Sequence, residues 1–276
     1  MTPRFSPRLL LRLAAASVML NGLFPVIWIA LTSLKTETEL TRQPITWWPH
    51  LLTWENYHRV ATEQPLLTFV TNSLVVAILS TILSLVVASF AAYALARLEI
   101  RGRRLILGVI VCSSMFPLVT LLVPLFETMR TLGLLNTYTA LVLPYTVLNL
   151  PVCTLVLVSF FESIPRNLEN AAMIDGASRL GALWHVVLPL SAPGVFTAGI
   201  LAFVNAWDEF LLALSLNAAQ SMRTLPVGIT LYQGEYTFPW PVISAALMIA
   251  IVPVILLVVA FQDRIVAGLT AGGVKG

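Results

Sequence analysis

Long apolar runs alternate with short polar stretches along the whole chain, and that alternation predicts its elements. A bilayer core needs about 20 consecutive, mostly apolar residues in a helix. Runs of that length, closed by charges, prolines or polar clusters, predict six spans at 13–34, 67–96, 105–126, 139–161, 194–216 and 242–261. The first run follows Arg4, Arg8 and Arg12, as the apolar stretch of a secretory leader would. It is longer than the roughly 7 to 15 apolar residues of a leader and no small-x-small cleavage site closes it before Lys35, so it is expected to persist as a span.

Composition agrees with this pattern. Of 276 residues 58% are hydrophobic and 11% charged, against about 25% charged in soluble domains. The net charge is +3, with no clustered basic run of the kind that binds nucleic acid. Its distribution says more than its sum, because Lys and Arg near span ends stay on the cytoplasmic side. One side collects Arg4, Arg8, Arg12, Arg97, Arg101, Arg103, Arg104, Arg166, Arg179, Arg264 and Lys275, whereas Lys35, Arg42, Arg59, Arg130 and Arg223 fall on the other. Both termini and the segment 165–189 are therefore expected in the cytoplasm. The longest outer connection, 35–66, carries Trp47, Trp48, Trp54 and Tyr57, which suit either a membrane-interface belt or a docking surface.

Several chemistries are missing. A phosphate-binding loop needs a lysine after a glycine, but Lys35 follows Leu34 and Lys275 follows Val274. His50, His58 and His185 have no H-E-x-x-H spacing and lie on both sides of the membrane, which argues against zinc, and no G-x-S-x-G elbow occurs. Cys112 and Cys153 sit inside apolar runs and read as small hydrophobes.

Polar groups within the spans are rarer and more informative. Asp208 and Glu209, in "NAWDEF", fall in the fifth run, with Asp208 roughly 21 Å along a helix counted from Gly194. A carboxylate at that depth is costly unless it faces water or a partner. Asn205 shares a face with them at i,i+3 and i,i+4 spacing, so Asn205, Asp208 and Glu209 are the residues expected along a solute path; structural pairing at the outer interface is the alternative. Pro25, Pro117, Pro124, Pro144, Pro151, Pro193 and Pro253 sit in or beside spans and point weakly to kinked, mobile helices.

The segment "ENAAMIDGASRLGALWHVVLP" is neither a span nor an ordinary loop. Pro165 suits the first turn of a short helix running to about Asp175, with Leu168, Ala171, Ala172 and Asp175 on one mostly small face. Gly176 then ends that helix. Leu180, Leu183, Trp184 and Val187 recur at helical spacing in a second helix, after which Leu188 and Pro189 are expected to turn the chain toward the fifth span.

This segment resembles the EAA loop of ATP-binding-cassette importer permeases, E-A-A-x-x-x-G-x(9)-I-x-L-P. Ala171, Ala172, Gly176, Val186, Leu188 and Pro189 fit the pattern, Asn170 stands at the glutamate place, and Glu169 lies one residue earlier. "LENAAMIDGA", with Asp175 before the glycine, resembles the sugar-permease version. The tail "GLTAGGVKG", "FESIP" and "TNSLVVA" are also similar to maltose-type permeases. The resemblance implies an all-α membrane protein with six transmembrane helices and the type I importer permease fold. It implies one transmembrane domain over 1–276, holding a cytoplasmic coupling helix in 165–189 and a cytoplasmic tail at 263–276.

It further implies a sugar importer in a bacterial cytoplasmic (inner) membrane, working with a homologous second permease, two ATP-binding subunits and an extracytoplasmic solute-binding protein. Membrane lipid surrounds it, and the chain itself holds no cofactor, since ATP and magnesium belong to the ATPase. Glu169, Asn170, Ala171, Ala172, Asp175 and Gly176 would then contact the ATPase. The rival readings are a proton-driven secondary transporter, for which Asp208 and Glu209 are the sole hint, and a membrane-embedded enzyme.

Overall fold

A computed structural model describes residues 7–234 and 237–273. In chain order it comprises α1 (Pro7–Ser33), α2 (Glu37–Leu40), α3 (Glu55–Glu63), α4 (Leu66–Arg97), α5 (Arg103–Ser114), α6 (Leu118–Thr131) and α7 (Tyr138–Ser163). Next come α8 (Arg166–Ile174), α9 (Arg179–Ala182), a π turn (Leu183–Val187), α10 (Leu188–Leu190), α11 (Ala192–Asp208), α12 (Leu211–Leu216), α13 (Leu225–Thr230) and α14 (Trp240–Gly273). Arg4, Lys275 and the last residues of the glycine-rich tail lie outside the described residues.

Among the described residues, four helices are long and apolar enough to cross a membrane: Leu11–Ser33, Leu66–Arg97, Tyr138–Ser163 and Trp240–Gln262. Two bent pairs raise the number to six when each counts as one span, matching the expected number and the all-α class. The bends correct two of the sequence boundaries. The third run is broken by 89° between α5 and α6. The Met115 N–H folds back to the Cys112 carbonyl, and Pro117, which has no N–H to continue a helix, precedes α6. The fifth span ends at Asp208 rather than Leu216, because Glu209 is extended and "LLALSL" forms the separate α12. The turn into α11 is an 82° bend at Ser191, not at Leu188 and Pro189. Pro189 is tolerated in the first turn of α10, where its missing donor costs little.

By contacts the chain divides into two compact units, Met1–Leu66 with Gly228–Val252, and Leu67–Val227 with Pro253–Gly276. In the first, the connection after α1 is folded on itself. Lys35 is 1% exposed; its ammonium donates to the Thr46 carbonyl and lies 5.0 Å over the Trp28 ring. Asn56 Nδ2 donates to the Ser33 and Lys35 carbonyls at 2.8 Å each. Glu39 accepts from Thr46 Oγ1 and the His50 N–H, both at 2.9 Å. Burial pushes the Glu39 carboxyl up, but the His50 N–H and the Thr46 hydroxyl, helped by the charges of His50 and Lys35, hold it below its ordinary value. Its stabilising contribution is therefore present above the ordinary carboxylate range and fades as pH falls through the lowered value. Trp47, Trp48 and Trp54 are all exposed; Trp47 meets Trp28 edge-on at 5.5 Å and the Trp54 ring lies 5.4 Å from that of Tyr57.

The second unit is built on small residues. Ala88, Ala92 and Ala96 on α4, Cys153, Leu157 and Phe161 on α7, and Ala198 and Ala202 on α11 repeat every four residues and form a fully buried core. Small side chains let helix backbones approach closely, which is how apolar helices gain packing energy where lipid removes the hydrophobic drive. The tightest point is Gly194, where an added Cβ would sit 2.3 Å from Phe160 Cγ. At Gly199 the nearest atom is the flexible end of Leu85, at 3.2 Å. Gly194→Ala is thus expected to lower the thermal midpoint of the purified protein by an overpacking cost of about 1–3 kcal/mol, with Gly199→Ala much milder. Equal midpoints for the two variants would contradict this packing.

Candidate functional site

Two places gather the polar groups that the spans would otherwise exclude. The first is the segment after α7. Pro165 opens α8, and Gly176 closes it with φ +95°. The Ala177 N–H bonds to the Ala172 carbonyl at 2.9 Å and the Gly176 N–H to Met173 at 3.2 Å. That pair of bonds is a Schellman closure, which needs a left-handed residue at the glycine position. Ser178 Oγ then accepts the Gly181 N–H at 3.1 Å and caps the next helix. A π turn follows, where the Leu188 N–H reaches back to Leu183.

Glu169 is fixed inward. Its Oε2 lies 3.1 Å from Arg97 Nε, with side chains 7% and 4% exposed, and its other oxygen accepts the Tyr93 hydroxyl. Arg97 Nη2 donates to the Ile164 carbonyl at 3.0 Å, and Arg166 Nη2 to the Ala96 carbonyl at 3.5 Å. The C-terminal end of α4 therefore grips the start of α8 from both sides. Removing one partner of a buried ion pair costs roughly 3–5 kcal/mol, because the other charge is left uncompensated.

Glu169, one of the expected ATPase contacts, is thus buried against α4. Asn170, Ala171, Asp175 and Gly176 are exposed, while Ala172 is half-buried. Leu168, Ile174, Leu180 and Trp184 expose apolar surface beside them, with Ile174 at 85%. Helical spacing explains the division. Glu169 and Met173 share the inward face at i and i+4, whereas Asn170 and Ile174 share the outward one. The uncharged Asn170 thus occupies the exposed place, and the carboxylate one residue earlier serves the interior.

The second place is a cavity of about 220 Å³ at the break between α5 and α6, lined by Ser114, Phe116, Tyr145, Asn149, Asn205 and Glu209 among others. Asn149, 2% exposed, donates from Nδ2 to the Ala202 carbonyl at 3.3 Å and accepts from Asn205 Nδ2 at 3.1 Å. Glu209 accepts the Tyr145 hydroxyl and the backbone N–H groups of Leu212 at 2.8 Å and Ala213 at 3.1 Å. Those two N–H groups start α12, so the Glu209 carboxylate acts as the cap of that helix. Of the three expected path residues, Asn205 and Glu209 meet at the cavity. Asp208 is exposed at the end of α11 and does not line it.

Tyr93, Arg97, Tyr145 and Asn149 were missed by the sequence reading. Arg97 counted there only as an orientation charge, although a lone arginine ending an apolar helix was a visible signal. Asn149, a solitary amide in the fourth apolar run, was another.

An all-helical chain with broken spans and an exposed helical elbow fits a membrane transport subunit. The chain belongs to the family of binding-protein-dependent transport system inner membrane components, whose model matches residues 84–270 and so includes both places. It is 68% identical to the sulfoquinovosyl glycerol transport system permease protein SmoH of Agrobacterium fabrum, over 96% of this chain and 94% of that one. It is 39% identical to the trehalose/maltose permease MalG of Thermococcus litoralis, over 98% and 97%. Identity with the trehalose permease SugB of Mycobacterium tuberculosis is 40%, over 92% and 93%. A crystal structure of a bacterial ABC transporter involved in import of the acidic polysaccharide alginate shares the fold, with a TM-score of 0.80 at 24% identity over 96% of this chain and 100% of that one. The family is one of transport permeases, so the enzyme and proton-driven readings give way to an importer component of the inner membrane.

The elbow makes a direct prediction. A Cβ at Gly176 meets nothing within 4 Å, so Gly176→Ala is expected to cost only the left-handed backbone, about 1–2 kcal/mol, read as a lower melting midpoint. Gly176→Pro also loses the N–H to Met173 and should lower the midpoint further. A proline variant as stable as wild type would rule out the closure described here.

Proposed function

We propose that this chain is one permease of a pair in an ATP-driven sugar importer whose solute is a sulfonated sugar glycoside of the sulfoquinovosyl glycerol type. The ranking of identities supports that solute class, since 68% to the sulfoquinovosyl glycerol permease far exceeds 39% and 40% to the trehalose and maltose relatives. Both termini and α8 face the cytoplasm in this reading, on the side where basic residues accumulate. Two ATP-binding subunits there carry ATP and magnesium, and a solute-binding protein delivers from outside.

The observation that carries the coupling role is the division of α8 into two faces. The outward face sets the exposed apolar side chain of Ile174 beside the short side chains of Asn170, Ala171 and Asp175, a mixed surface that another protein could dock against. The inward face is tied to α4 through Glu169 and Arg97. A displacement of α8 by the ATPase is then handed to a helix of 32 residues rather than absorbed by a loop. ATP and loaded binding protein must both prefer the outward-open form, because a ligand shifts an equilibrium only by its differential affinity for the two states.

The test is uptake by the complete transporter, with its partner permease, ATPase and binding protein, in proteoliposomes. Saturable accumulation of sulfoquinovosyl glycerol that requires ATP and the binding protein is expected, with trehalose and maltose excluded. Accumulation that continues without ATP and collapses on adding a protonophore would refute the proposal. So would preferential uptake of maltose, for the solute class alone.

A further inference from the structure

The cavity at the α5–α6 break has a composition that bears on how the solute is held. We infer that it is a subsite for the uncharged, hydroxyl-bearing part of the solute and not for its anionic group. This rests on the proposed solute class for its anionic half, though not for its hydroxyl half.

Depth is the first support. Asn149 lies 11 residues into α7, about 17 Å from its start and about 21 Å from its end, near the middle of a bilayer-spanning helix. Ser114 closes α5, about 17 Å from Arg103 at its other end. Non-helical backbone at that depth, such as the break after Ser114, is tolerated where it lines a cavity rather than lipid.

Preorganisation is the second. Asn149 is buried and held by two hydrogen bonds, one fixing its amide against Ala202 and the other receiving one N–H of Asn205. Asn205, itself exposed, is left with its carbonyl oxygen and its second N–H. A donor and an acceptor on one rigid amide match a pair of neighbouring hydroxyls, each of which can donate and accept. The Phe116 ring adds an apolar wall for the carbon face of a polyol.

Charge is the third. No Lys, Arg or His lines the cavity, and its one ionisable carboxylate is Glu209. The Glu209 oxygens already receive the Tyr145 hydroxyl and two backbone N–H groups, so the carboxylate stays fixed in place and repels a second anion. A sulfonate is therefore turned away from this chain's cavity, while hydroxyls are not.

The complete transporter tests this in proteoliposomes at saturating loaded binding protein, with assembly of every variant checked by copurification of its partner subunits. Asn205→Leu removes donor and acceptor at similar size, and uptake of sulfoquinovosyl glycerol is expected to fall about tenfold. If that variant does not assemble, Asn205→Ser is read in the same way, with a smaller loss. An assembled variant that transports at the wild-type rate would overturn the subsite. Asn205→Lys places a cation in the cavity and is expected to bring no gain for the sulfonated solute over a neutral glycoside. A gain there would put the sulfonate in the cavity and overturn the assignment. If wild type carries a neutral disaccharide instead, the solute class fails, and the Asn205→Leu comparison made with that disaccharide decides the subsite separately.

Discussion

The ion pair between Arg97 and Glu169 is the contact on which the joint between α4 and α8 depends. Each charge is almost fully buried, so each would carry a large desolvation cost alone, and each is made tolerable by the other. Around the pair, Glu169 also accepts the Tyr93 hydroxyl and Arg97 also donates to the Ile164 carbonyl. Such a cluster is worth less as net stability than as specification, because it accepts one arrangement of α4 and α8 and penalises the others. With one face of α8 anchored in this way, the opposite face of Asn170, Ala171 and Asp175 is presented outward at a fixed angle, and the Gly176 closure sets where the next helix departs.

Midway along the spans the same economy of polar groups recurs. Breaking a helix at Met115–Pro117 and another at Glu209 frees backbone groups that lipid cannot satisfy. One of the freed ends is closed by Glu209, which takes the first N–H groups of α12 and in turn holds Tyr145. The Glu209 carboxylate, expected along a solute path, thus also serves as a helix cap, with the amides of Asn149 and Asn205 beside it. Close packing of alanine and glycine surfaces joins α4, α7 and α11 in one buried cluster.

Much of this was legible in the chain. The number of spans followed from the length of the apolar runs, and the two helices around Gly176 followed from spacing and the glycine itself. The break at Pro117 was marked by the proline, yet a proline within an apolar run reads equally as a mild kink. The end of α11 was hidden because "LLALSL" is as apolar as a span and hydropathy does not register a carboxylate reaching forward to cap. The inward direction of Glu169 was hidden for a different reason. Its partner Arg97 stands 72 positions earlier in the chain, and only the fold brings a residue that ends one span against the helix that follows another. Long-range pairs of this kind leave no periodic trace.

Solute moved per ATP hydrolysed in the reconstituted transporter tests most directly whether the buried pair carries motion from α8 to the spans. The double variant Arg97→Met with Glu169→Gln removes the pair without stranding a charge. Assembled complexes of that variant are expected to keep hydrolysing ATP while solute moved per ATP falls about fivefold or more, the lower end of typical coupling energies. A wild-type ratio in the double variant would show that the pair holds the fold and transmits nothing.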